Sequence, residues 1–196
     1  MPALCSRKGE VKYMLRTIQY SFPSKADGLE ISCLAVVPEL ERNEKYRGII
    51  QIVHGMSEYK ERYIPFMEYM AERKYISVIH DHRGHGKSVR SKEDLGYMYG
   101  GGADAMLKDI HTVNCLIKDH FPGIPLILFG HSMGSLAVRA YAAHHDSCMD
   151  MLIVCGSPSY NVFRPVGVAL AKAGKTVFGP KHSAGLIEMM SFGSYA

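Results

Sequence analysis

The chain lacks most of the marks of a secreted, membrane-spanning or nucleic-acid-binding protein. No stretch approaches the ~18 uninterrupted apolar residues that a spanning helix requires. The opening MPALCSRKGEVKYM has no apolar core of a secretion signal, so a cytoplasmic location is expected. The five cysteines (Cys5, Cys33, Cys115, Cys148 and Cys155) are odd in number, widely spaced and without a C-x-x-C pair. That usage predicts buried free thiols in a reducing compartment, not a disulfide or metal framework. Charge of one sign is scarce too: 23 Lys+Arg against 19 Asp+Glu leave +4, too mild a bias to argue for nucleic acid. There is no internal repeat and no low-complexity tract.

What is present is ordinary for a globular domain. The 196 residues are 47% hydrophobic and 21% charged, enough to bury a core and inconsistent with a collagen, a coiled coil or an extended disordered tail. The small positive excess is uneven. Residues 158–196 hold Arg164, Lys172, Lys175 and Lys181 against Glu188 alone.

The periodicity alternates. Two β-type runs, 14–22 and 29–37, flank PSKADG and predict an antiparallel hairpin. GIIQIVH (48–54), an amphipathic stretch over 60–73 and YISVIHD (75–81) predict a strand, a helix and a strand. Residues 82–102 read as a long loop, 103–120 as a helix stopped by Phe-Pro-Gly, 125–129 as a short apolar strand, 132–145 as a helix and 151–156 as another buried strand. Near-continuous apolar strands separated by helices imply a mostly parallel sheet covered on both faces, an α/β architecture. Beyond Ser157 the pattern becomes one or two amphipathic helices broken at Gly179-Pro180.

Three strings carry chemistry. Gly130-His131-Ser132-Met133-Gly134 lies between an apolar strand and a helix. There a strained turn would expose the Ser132 hydroxyl, the two glycines would let strand and helix approach, and the Met133 amide at the helix start would favour an oxyanion. His54-Gly55-Met56-Ser57-Glu58 follows the first central strand, and its Gly55 loop could aim the Met56 amide into the same crevice. His54 itself reads as a structural histidine holding that loop. The third string, Asp81-His82-Arg83-Gly84-His85-Gly86-Lys87-Ser88, reads as a tight turn tied down by Asp81 and Arg83. Its histidines, with His80, lack the acid that a zinc hydrolase places before the third histidine, so no metal and no cofactor are expected.

Taken together, HGMSEYKERY, DHRGHGKS and GHSMGS resemble the α/β-hydrolase superfamily, in the branch of monoacylglycerol lipases, lysophospholipases and serine aminopeptidase-like proteins. Their order and spacing agree over about residues 48–136. The resemblance implies an α/β-hydrolase fold, with residues 1–157 as the N-terminal part of the core and 158–196 as the start of a helical cap. It makes Ser132 the nucleophile and the Met56 and Met133 amides the oxyanion hole.

One departure is large. In this family the acid and then the histidine follow the serine, after strands that this sequence does not reach. Asp146, Asp150, His144, His145 and His182 are the only nearby substitutes, and none is placed for the role. The catalytic acid and histidine are therefore expected to be missing from this chain, and the final strands with them. The resulting expectation is a serine ester hydrolase acting on acyl glycerols or lysophospholipids through an acyl-enzyme, present as a C-terminally truncated and poorly active fragment. The alternatives are a non-catalytic module that binds lipid or a partner, and a peptidase or thioesterase on the same scaffold. A small acyl ester or lipid is the expected partner, with weak contact to a membrane surface through the basic segment and no nucleic acid.

Overall fold

The computed structural model describes residues 13–159 together with 176, 177 and 179. Six strands form one mixed sheet: β1 (Leu15–Pro23), β2 (Glu30–Pro38), β3 (Gly48–Val53), β4 (Tyr75–His80), β5 (Leu126–His131) and β6 (Met151–Cys155). Their spatial order is β1-β2-β4-β3-β5-β6. β1 and β2 form the expected antiparallel hairpin, whose turn closes through Ser24 N–H to Leu29 O at 2.7 Å with Gly28 at φ 70°. β2 runs antiparallel to β4, while β3, β4, β5 and β6 are mutually parallel.

Among the described residues three helices cover the sheet: α1 (Ile64–Ala71), α2 (Gly102–His120) and α3 (Met133–His145). The helix expected over 60–73 is split, with a 3₁₀ turn at Lys60–Tyr63 before α1. Pro65 has no N–H to donate back to Glu61 O, so the α-helical ladder begins only there. α1 packs Met67 and Ala71 against Leu34, Val36, Ile50, Ile52 and Ile79 on one face. α2 and α3 pack Ile110, Val113, Val138 and Tyr141 against Ile31, Cys33, Ile49, Ile76 and Leu128 on the other. The alternation in β2 and β3 assigns successive residues to opposite cores, which is why these strands read as unbroken apolar runs. Gln51 is the polar exception and is fully satisfied: it donates to Ile110 O at 2.8 Å and accepts from Asn114 at 3.0 Å.

Two expectations need correction. β6 is not buried: Met151, Leu152, Ile153 and Val154 are between 37% and 53% exposed, because β6 is the sheet's edge among the described residues. Of the cysteines described, only Cys33 is buried, while Cys115 and Cys155 are exposed and Cys148 is partly so. Cys115 sits on a helix and Cys155 on that open edge, so apolar neighbours in sequence did not guarantee cover. The cap expected over 158–196 lies almost wholly outside the described residues. No helix of the described residues is long and apolar enough to cross a membrane.

The topology places one crevice. From β3 the chain goes through α1 to β4 on one side, then returns over the other face through α2 to β5 on β3's far side. β3 and β5 therefore flank the switch point, where the loops at their carboxyl ends diverge and open a site.

Candidate active site

Both loops named by the sequence meet at that point. Register pairs Val53 with Gly130, so His54 and Gly55 leave β3 beside His131 and Ser132 leaving β5. A Cβ on Gly55 would lie 3.1 Å from the Ser132 Cβ. Ser132 itself has φ 52° and ψ −116°, a conformation that costs a non-glycine residue about 1–3 kcal/mol and persists only where the surroundings enforce it. Its amide donates to Cys155 O of β6 at 3.0 Å, and its carbonyl accepts from Ser135 N at 2.9 Å and Ser135 Oγ at 2.5 Å. The backbone is fixed on both sides of the strained residue. Its hydroxyl makes no capping hydrogen bond.

The glycines of the elbow are sterically required. A Cβ on Gly130 would come within 2.5 Å of Gly134 O and Val138 Cγ2, and one on Gly134 would overlap Val53 O. Strand β5, helix α3 and the end of β3 are thus in backbone contact. The Met133 N–H is at the first helical position and has no partner in its own helix. The Met56 N–H has no hydrogen-bond partner among the described residues.

Glu58 holds the β3 loop in this place. It is 8% exposed, and its Oε2 accepts from Gly55 N at 2.6 Å, Tyr63 OH at 2.9 Å and His131 Nδ1 at 3.2 Å, while Oε1 pairs with Arg62 at 3.2 Å. Burial pushes its carboxyl up, but the hydrogen bonds from Gly55, Tyr63 and His131 prevail and hold it below the usual range. Beneath the loop His54 is fully buried. Its Nδ1–H donates to Gly55 O at 2.7 Å and its Nε2 accepts from His82 N at 3.0 Å. Both nitrogens are engaged, so it has no lone pair to offer Ser132. Burial pushes it down to about 4, leaving it neutral at neutral pH. His82 answers with Nε2–H to His54 O at 3.0 Å, and the two rings lie 4.1 Å apart.

The DHRGHGKS turn is a largely buried charge network. Asp81 accepts from Lys60 N at 2.7 Å, Lys60 Nζ at 2.6 Å and Lys87 N at 2.9 Å. Both members of the Lys60–Asp81 pair are fully buried. Arg83, also fully buried, reaches Asp109 at 3.0 Å, Asp27 and Ser24 on the β1–β2 turn, and the carbonyls of Met98 and Gly100. His80, His82 and His85 bring no carboxylate ligand with them, and among the described residues they form no group spaced for a metal.

The other downstream candidates sit elsewhere. Asp150 accepts from Leu126 N at 2.7 Å, at the amino end of β5 and so across the sheet from Ser132. Asp146 caps the turn after α3 through Ser147 N. His145 stacks on His111 and Tyr141. His182 lies outside the described residues. The residue that sequence reasoning missed is Lys60: nothing in TyrLysGlu distinguishes a lysine that will be entirely buried.

A family model described as "Serine aminopeptidase, S33" matches residues 44–187. The monoacylglycerol lipase of Mycolicibacterium smegmatis is 30% identical over 129 residues, covering 64% of this chain and 44% of that protein. A thermostable carboxyl esterase of Bacillus coagulans, solved with glycerol, superposes with a TM-score of 0.71 at 30% identity, over 81% of this chain and 50% of that one. A soluble variant of Saccharomyces cerevisiae monoglyceride lipase gives 0.63 at 21% identity, over 92% and 57%. This chain therefore spans less than half the length of the curated relatives it matches.

Proposed function

The chain belongs to the serine aminopeptidase S33 family and has the α/β-hydrolase fold, and on that premise we propose that it is the nucleophile-bearing part of a serine ester hydrolase acting on acyl glycerols or lysophospholipids. The observation that carries the reading is Ser132 at φ 52°, held between two glycines that admit no side chain. Strain of this kind, at a hydroxyl that makes no capping hydrogen bond among the described residues, is hard to explain as architecture and is expected of a nucleophile.

In the proposed reaction Ser132 Oγ adds to the acyl carbonyl carbon and its proton passes to a base. The oxyanion forms at the Met56 and Met133 amides, with the α3 dipole behind the second. The carbon–oxygen bond to the alcohol then breaks, the alcohol leaves with a proton, and water releases the acid from the acyl-enzyme. Among the described residues no imidazole or carboxylate is placed to take the Ser132 proton. Loss of the histidine from such a site typically lowers turnover by ~10⁴-fold or more, so slow hydrolysis is expected here. Residues 1–157 are assigned to the core and 158–196 to a partial cap. That segment's Lys172, Lys175 and Lys181 would give weak contact with an anionic membrane surface, and the location is cytoplasmic.

The test is hydrolysis of p-nitrophenyl butyrate with and without added imidazole as an external base. Slow turnover that rises with imidazole and falls to background in Ser132→Ala is expected. Equal rates for the parent and Ser132→Ala would overturn the assignment.

A further inference from the structure

At the opposite end of α3 from Ser132, two helices bring soft donors together. His111 on α2, His145 at the end of α3 and Cys148 in the turn after it are each partly buried, and each offers a ligand atom within 4.8 Å of the other two. Cys115, one turn beyond His111, places its Sγ 3.5 Å from His111 Nε2. The spacing is His-x₃-Cys on α2 and His-x₂-Cys from the end of α3 into the turn after it.

From these residues we propose a structural metal site for Zn²⁺, with His111, His145 and Cys148 as ligands and the Cys115 thiol as the nearest further donor. Imidazole and thiolate together select zinc among the common divalent ions, and no carboxylate competes for a harder one. Ligands ~2.0–2.3 Å from a shared tetrahedral ion lie roughly 3.3–3.8 Å apart. From separations of up to 4.8 Å the group must therefore close by about 1.5 Å at most, which rotation of partly buried side chains supplies.

A second contact prepares one ligand. His111 Nδ1 lies 2.9 Å from the hydroxyl of Tyr141, which is fully buried. With Nδ1 so occupied, Nε2 is the nitrogen left for a metal, the arrangement by which an outer partner commonly orients a metal-binding histidine. Binding replaces the Cys148 S–H by a sulfur–zinc bond and releases the proton to solvent, while both imidazoles bind neutral. The bound ion would join α2 to the connection between α3 and β6. Helix α3 is 13 residues long, so the site lies about 20 Å from Ser132 along the helix axis and takes no part in ester chemistry. The expectation that no metal binds rested on His80, His82 and His85 and on the wide spacing of the cysteines along the chain; the fold brings Cys148 to His111 and His145, which that spacing does not show.

Titration of the reduced, metal-free chain with Co²⁺, then with Zn²⁺, tests the proposal. We expect one Co²⁺ per chain with a thiolate-to-cobalt charge-transfer band, displaced by Zn²⁺. The band should fall by at least about half in Cys148→Ser, any remainder coming from Cys115, and affinity should fall at least about tenfold in His111→Ala. In the unmutated chain Zn²⁺ should also protect Cys148 from alkylation, mapped by mass, which holds the test open if a variant fails to fold. An unchanged band in Cys148→Ser, or alkylation of Cys148 at the same rate with and without Zn²⁺, would overturn it.

Discussion

Two loops at the carboxyl edge of the sheet, on either side of β3, use their residues in opposite ways. After β4, the Asp81–Ser88 turn buries a lysine, an arginine and an aspartate completely, and each finds its counter-charge. After β5, the elbow places one serine in a strained backbone conformation and leaves its hydroxyl without a cap bond. In the first loop every interaction serves to fix the backbone. In the second, fixed backbone on both sides is what makes an unpaired, strained group tolerable. Change at the turn should therefore cost stability, and change at the elbow serine should cost activity while leaving the fold as stable or more so.

The largest effect is expected at Arg83. Arg83→Met would leave the Asp109 carboxyl buried without its cation, at a cost of about 3–5 kcal/mol, read as a lower urea midpoint. A loss below about 1 kcal/mol would mean that the turn is not the anchor argued here. Next comes Glu58→Ala, which strips the partner from the Gly55 amide and the Tyr63 hydroxyl. We expect a loss of about 2 kcal/mol together with slower Ser132-dependent hydrolysis, since the Met56 amide moves with the loop.

Acid should separate the regions further. His80 is pushed by burial down to about 3 and His54 to about 4, both from an ordinary 6.5. The unfolded chain therefore binds more protons below pH 6.5, and stability should fall as pH drops from there toward 4 and then 3. Each ring contributes up to about 1.4 kcal/mol per pH unit within its window. His80→Leu should flatten the curve in pH-dependent denaturation, and an unchanged slope would exclude the ring as its source. The smallest change in stability is expected at the elbow. Ser132→Gly relieves a positive φ and should raise stability by about 1 kcal/mol while hydrolysis drops to background. Destabilisation by this variant would contradict the strain argument.

The parallel crossovers were legible because each element has its own period and its own punctuation, as in Phe121-Pro122-Gly123 after α2. The elbow was legible because its two glycines answer a local steric demand. Three things were not, or not wholly. Pro65 split the helix expected over 60–73, which needed only the backbone ladder to be counted. Cover over β6 was legible only in part: the MLIVC run by itself reads as a buried strand, and as an unprotected edge only once the final strands are expected to be missing. The pairing of His54 with His82, and of Lys60 with Asp81, joins residues 28 and 21 positions apart, which no local pattern encodes.

Sequence alone determined the order of strands and helices, the position of Ser132 at a strand–helix turn and the two glycines that turn requires, because periodicity and backbone sterics act over a few residues. Only the tertiary structure decided how closely the Gly55 loop stands against Ser132 and that both nitrogens of His54 are taken up, by Gly55 O and by His82 N. Those outcomes follow from strand order and register, and two strands far apart in the chain become neighbours only when the sheet is assembled.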